Sequence, residues 1–238
     1  MASITYCLVH GAWHGAWCWE ELVPELRARG CGVVVPDLRC DDPAAGLKRH
    51  AQTVVAAVEE AGAPWRDVVV VGHSFGGVTL PVVGATRPVR RLVYLAALVP
   101  WTGRPMTERF AAEDDIFTLD WGAGIAKDEL GRSLWVDPAV AADRLYNRCT
   151  PRQAGAAFAR LRPQGQTAAH DLSAVTTLTG IPRASIVCRD DRCINPEWSR
   201  RVALEELRVD PIELDADHSP FLSSPVELAE TLLALEQE

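Results

Sequence analysis

Residues 68–80 read VVVVGHSFGGVTL. Four consecutive valines leave no polar face, which is how a strand reads when both sides of a parallel sheet are covered. Glycines follow at once, in Gly72-His73-Ser74-Phe75-Gly76. G-x-S-x-G arises often by chance, so its weight rests on context: it closes a buried strand and opens a helix. A nucleophilic serine needs that setting. It must project from a sharp turn, and small residues two positions to either side let strand and helix approach closely. The helix start leaves N–H groups free, and that of Phe75 points where negative charge would develop. No GKS or GKT follows, which disfavours a phosphate-binding loop. Pro81 falls inside the expected helix and is predicted to kink or shorten it.

Outward from this turn, short β-rich runs alternate with amphipathic segments. The strand candidates are 4–10, 32–36, 67–72, 91–96, 184–188 and 209–214. Helical patterns cover 19–28, 47–61, 196–206 and 225–236. Asn195 and Ser224 are suited to cap the last two, each with proline at the first helical position. The alternation predicts an α/β fold with crossover helices. No clear strand stands out between Trp101 and Leu172, a stretch carrying Trp101, Phe110, Phe117, Trp121, Trp135 and Phe158. It is expected to be a helical cap inserted over the sheet's C-terminal edge. The core would then be residues 1–100 and 173–238, with 101–172 the cap.

Composition excludes several classes. Of 238 residues, 48% are hydrophobic and 24% charged, as in a soluble globular domain. The net charge is -8, and without a Lys/Arg-rich run nucleic acid is not an expected partner. No stretch of about 18 apolar residues is present, so no membrane partner is expected. The first residues lack the pattern of a secretory signal, so a cytoplasmic location is expected. Seven cysteines, an odd number without a CxxC, read as reduced thiols. There is no HExxH, no His/Asp cluster and no nucleotide fingerprint, so neither metal nor cofactor is expected. Oligomeric state stays open between monomer and homodimer.

If Ser74 is a nucleophile, a base and an acid must lie later in the chain. Of six histidines, only His170 and His218 follow Ser74 by much. His218 sits in Asp215-Ala216-Asp217-His218, just past the last strand candidate, where a loop reaches the sheet's C-terminal edge. His170 falls in the inserted segment and is expected to line or cap it. The acid should follow the strand ending near Cys188, and Asp190 and Asp191 are both placed for it; Asp191 is preferred. Its task is to accept from the imidazole N–H and stabilise the imidazolium. A second oxyanion donor belongs after an early strand. His10-Gly11-Ala12-Trp13 follows the first one, with Ala12 the candidate donor beside Phe75. His10 and His14 have no assigned task.

HGAWHGAWCW, GHSFGG, CRDDRCINPEW and ADHSPFLSSPVELAETL together resemble the small α/β-hydrolases: plant methylesterases, hydroxynitrile lyases and bacterial esterases of the pyrethroid-hydrolase type. The resemblance spans nearly the whole chain and is weakest in the insertion. It implies an α/β-hydrolase fold, with a mainly parallel six-stranded sheet flanked by helices and a small helical cap. It implies a nucleophile at Ser74, an acid at Asp191, a base at His218 and oxyanion donors at Ala12 and Phe75. Asp191 over Asp190 follows from the D-x-x-I pattern, read here as Asp191-Arg192-Cys193-Ile194. The lyases carry threonine after the first histidine and lysine after the catalytic one. Here those positions hold Gly11 and Ser219, which points to the hydrolytic branch.

The expected reaction is cleavage of an ester, thioester or lactone of a small hydrophobic substrate through an acyl-enzyme. Trp13, Trp101, Phe110, Phe117, Trp121 and Trp135 are candidate linings of an apolar cleft between Ser74 and the cap. The same triad also serves acyltransferases, cyclases and lyases, and the fold can act as a ligand-binding receptor.

Overall fold

The computed structural model describes residues 4–172 and 180–237. Strand β1 spans Thr5–Val9, β2 Gly32–Val34, β3 Val68–His73, β4 Arg91–Leu95, β5 Ile125–Lys127, β6 Ser133–Trp135, β7 Arg183–Cys188 and β8 Ile212–Leu214. Six of these form one sheet in the order β2-β1-β3-β4-β7-β8, every neighbouring pair parallel. All six expected strands are present, with ends that differ from the expected ones by one to three residues.

Every residue of β1 and β3 is buried. The strand period of two sorts their side chains into two separate cores. Cys7, Val9, Val68, Val70, Leu92 and Tyr94 face one side. Tyr6, Leu8, Val69, Val71, Val93 and Leu95 face the other. Helices cover both faces, which is why the valine run needs no polar alternation. Thr79 is followed by the helix Leu80–Thr86, so Pro81 sits in a helical first turn and costs no backbone bond. The six residues from Ser74 to Thr79 form a tighter 3-10 stretch. The expected single helix is thus divided, and the proline stands just after the division.

The chain moves outward from β1 to β2, crosses back to β3, and continues the other way to β4, β7 and β8. The sheet therefore reverses its direction of growth at β1 and β3. Ligand crevices of open α/β sheets form at such a point, beyond the strands' C-terminal ends. The loops carrying Gly11, Ser74, Asp191 and His218 all leave the sheet at that edge.

Residues 101–172 contain the helices Met106–Ala112, Pro138–Leu145, Pro151–Phe158 and Thr167–His170. They also contain an antiparallel hairpin of β5 and β6, which an all-helical reading of this stretch did not include. Its strands have three residues each, too few for alternation to register in sequence. Its turn is closed by Asp128, whose side chain accepts from the amides of Leu130 and Arg132, and by Gly131 at φ 73°. Among the described residues no helix is long and apolar enough to cross a membrane.

Candidate active site

Ser74 follows β3 with φ 51°, left-handed for a residue with a side chain. Such backbone costs about 1–3 kcal/mol and persists only where surroundings enforce it. The enforcement is steric. A Cβ on Gly76 would lie 2.7 Å from the carbonyl oxygen of His10. One on Gly11 would lie 2.8 Å from the Ser74 Cβ. The loop after β1 and the turn after β3 thus touch backbone to backbone, and only glycine fits the contact.

His218 follows β8 and is buried. Its Nε2 lies 3.1 Å from Ser74 Oγ, and its Nδ1 2.8 Å from Asp191 Oδ2. The other carboxylate oxygen of Asp191 accepts from the amides of Cys193, at 2.8 Å, and Ile194, at 2.9 Å. Being acceptor-only when ionised, Asp191 makes Nδ1 the protonated nitrogen and leaves Nε2 to face the serine. Burial pushes the His218 pKa down, but the Asp191 charge, Cys193 and the hydrogen bond to Asp191 outweigh it. The imidazole is held well above its usual value.

Asp190 points elsewhere, pairing with Arg148 at the surface. His170 is solvent-exposed at the end of its short helix, not a cap over the cleft. Asp217, fully buried, braces the His218 loop by accepting from the Ser219 amide, the Ser223 hydroxyl and the Arg148 amide.

Three histidines given no task in the sequence reading support this geometry. His73 Nε2–H donates to the His218 carbonyl at 2.7 Å. Burial first, then the neighbouring histidines, hold its pKa well below normal. The Nε2 of His10 accepts from the Leu38 amide at 2.9 Å, so its Nδ1 carries the proton that goes to the Gly11 carbonyl at 2.8 Å. His14 Nδ1–H donates to the Ala12 carbonyl, and its Nε2 accepts from the Tyr146 hydroxyl, both at 2.8 Å. Burial lowers the His14 pKa to about 3 and keeps the ring neutral, as that pairing requires. The bonds end on backbone carbonyls, which no residue pattern displays.

A cavity of about 400 Å³ opens over Ser74. Ala12, Phe75, Trp13, Phe110, Phe117 and Trp121 line it. Phe117 and Trp121 stack with centroids 4.1 Å apart. The other two expected linings are not among its walls. Trp135 stands behind Trp13, edge-on at 5.6 Å. Trp101 lies under the guanidinium groups of Arg104 and Arg109, at 4.5 and 5.2 Å. Aromatic content alone did not reveal which ring faces the cleft. Composition also hid the polar part of the wall, supplied by Ser133, Gln164 and Gln166.

This sheet, with a serine on a strained turn and a histidine–carboxylate pair beside it, defines a hydrolase class. The model of the Alpha/beta hydrolase family matches residues 8–231, and the chain belongs to that family. Within it, the chain falls in the group that contains the plant methylesterases. It is 30% identical to the Probable esterase PIR7A of Oryza sativa, over 97% of this chain and 95% of that protein. It is also 30% identical to Salicylic acid-binding protein 2 of Nicotiana tabacum, over 97% and 96%. Methylesterase 1 of Arabidopsis thaliana is 27% identical over 97% and 95%. Among solved structures, polyneuridine aldehyde esterase superposes with a TM-score of 0.83 at 24% identity, covering 98% of this chain and 99% of that one. The pyrethroid hydrolase of Sphingobium faniae JZ-2 gives 0.79 at 21%, covering 99% and 98%. At those identities the likeness speaks for the fold.

Proposed function

We propose that Ser74, His218 and Asp191 form the catalytic triad of this enzyme and that it cleaves esters of small hydrophobic acids. The chain is a carboxylic ester hydrolase, as its family and its esterase and methylesterase relatives establish. The route and the substrate are the proposal. The observation that carries it is the unbroken chain from Ser74 Oγ through the His218 imidazole to Asp191, opening on an apolar cavity.

His218 Nε2 takes the Ser74 proton as Oγ attacks the ester carbonyl. Asp191 holds the Nδ1–H tautomer and stabilises the imidazolium. The oxyanion falls to the amides of Ala12 and Phe75. In a trans peptide the carbonyl and the following N–H point opposite ways. Tying the Gly11 carbonyl to His10 therefore turns the Ala12 N–H away from that carbonyl, and Ala12 lines the cavity. The protonated His218 then gives its proton to the departing alcohol. In the second half it activates water, which releases the acid and restores Ser74.

The aromatic wall of Trp13, Phe117 and Trp121 suits a flat, apolar acyl or alcohol group. A relative named for binding salicylic acid supports an aromatic acid as the acyl part. Gly11 and Ser219 support hydrolysis over cyanide release, because neither supplies the threonine or the cation of the lyases.

The test is hydrolysis of p-nitrophenyl acetate and butyrate by the wild type and by Ser74→Ala. Steady turnover lost in the variant is the expected result. Equal turnover in both proteins would remove Ser74 from the mechanism.

A further inference from the structure

We infer that Ser133 reads a neutral hydrogen-bond acceptor on the substrate, away from the scissile carbonyl, and so sets specificity for oxygen-bearing hydrophobic esters. This rests on the esterase reading above. Ser133 opens β6, and its backbone is fixed on both sides. Its amide donates to the Gln164 carbonyl at 2.9 Å, and its own carbonyl accepts from the Gln164 amide at 2.7 Å. That bridge joins the hairpin to the segment leading into Gln164–Gln166.

The hydroxyl is then settled by counting. A serine hydroxyl has two acceptor positions and one proton to donate. The Trp13 indole, a donor only, shares its one Nε1–H between Ser133 Oγ and the Ser133 carbonyl, each at 3.1 Å. The Gln166 Nε2 donates to Ser133 Oγ at 3.2 Å and to the Gln164 carbonyl at 3.1 Å. The carbonyl can only accept, so it fixes which end of the Gln166 amide is nitrogen. Ser133 Oγ thus accepts from the Gln166 amide and from a shared indole N–H, and its own proton has no acceptor among the described residues.

Gln164 repeats the pattern. Its Oε1 accepts from the Trp13 amide at 3.3 Å, and its Nε2 spends one hydrogen on the Gly165 carbonyl at 2.8 Å. The second hydrogen has no acceptor among the described residues, and the side chain is buried against the same cavity. Ser133 and Gln164 thus both line a mainly apolar cavity with a hydrogen left to donate. No Lys or Arg lines it. A carboxylate there would be buried without a partner cation, so the group that fits is a neutral ketone, ether, phenol or hydroxyl oxygen.

The experiment compares matched esters with wild type and Ser133→Ala. Each pair holds a ketone oxygen or its methyl-branched carbon counterpart, placed at successive positions along the acyl chain and, in a second set, along the alcohol chain. At one placement at least, wild type should favour the oxygen ester in kcat/KM by about tenfold. Ser133→Ala should lose that preference, and a circular-dichroism spectrum matching that of wild type shows that it folds. A preference absent at every placement, or unchanged in Ser133→Ala, overturns the assignment while leaving the esterase reading intact. Failure of wild type to cleave any of the esters overturns the esterase reading, and this inference with it.

Discussion

The Nδ1 of His10 lies 2.8 Å from the carbonyl oxygen of Gly11, the residue that follows it. A histidine bonded to its own neighbour adds little to stability, yet it decides the tilt of the 11–12 peptide. His10→Ala frees that plane and leaves the Leu38 amide without its acceptor. If the Ala12 N–H serves the oxyanion, kcat should drop by roughly 10²–10³, the cost of one lost donor, with KM little changed. Steady-state kinetics on p-nitrophenyl butyrate reads this split. A rise in KM at constant kcat would instead assign His10 to the shape of the pocket.

Asp191→Asn separates charge from geometry. In the wild type the imidazole must shed its proton before it can act as a base. Its pKa lies above 6.5, so kcat/KM should rise with pH through an inflection above that value. The amide removes the charge that opposes burial. The inflection should then move to lower pH while the plateau falls by about 10⁴, through loss of the correct tautomer. An inflection that stays in place would assign the titration to another group.

Much of this enzyme was legible before its structure, and the division has a physical basis. Strands buried on both faces write themselves as apolar runs, and all six were found that way. Ser74 and His218, the proposed nucleophile and base, could be singled out because chain order and flanking residues follow from the chemistry. Asp191 was preferred over its neighbour on the D-x-x-I pattern, and the loop geometry turns Asp191 toward His218 and Asp190 outward to Arg148. His10, His14 and His73 were missed because they act on carbonyl oxygens, which every residue has. Trp101 and Trp135 were placed in the cleft on aromatic character, but neighbouring guanidinium and indole groups hold them elsewhere.

His50 makes a prediction on stability. It lies on the buried face of the helix Leu47–Glu60, and neither ring nitrogen has a hydrogen-bond partner among the described residues. Burial and, to a smaller extent, His10 lower its pKa to about 4, against an opposing pull from Asp171. Below pH 6.5 the unfolded chain protonates this ring and the folded one does not. Stability present above pH 6.5 is therefore lost as pH falls toward 4, by about 3 kcal/mol in all. His50→Leu removes both the unpaired nitrogens and the titration. Its Tm should exceed that of the wild type by a margin that widens from pH 7 to pH 4.5. Parallel Tm curves would show that the ring is already protonated, or paired, in the folded protein.

Arg109 tests how the aromatic wall is held. Its guanidinium is fully buried on the helix Met106–Ala112, next to Phe110. It donates to Glu206 at 2.6 Å and 2.9 Å, to Glu113 at 3.1 Å and to the Val99 carbonyl at 2.7 Å. Trp101 and Trp198 lie against its two sides, at 5.2 and 4.9 Å. One cation thus joins this helix to the end of β4 and to the segment carrying Glu206. Arg109→Met keeps the volume but leaves Glu206 without its cation and Glu113 with only Arg201, 3.5 Å away. Removing one partner of a buried pair costs about 3–5 kcal/mol, and the partial exposure of both glutamates places this variant at the lower end. Adding Glu113→Gln and Glu206→Gln to Arg109→Met should recover part of the loss, because the unpaired charge is removed. The readout is denaturant unfolding of the single and triple variants. Recovery in the triple variant assigns the cost to unpaired charge, whereas no recovery assigns it to the packing of the guanidinium between its two indoles. In either case Phe110 loses its anchor, and KM for aromatic esters should rise more than KM for acetate.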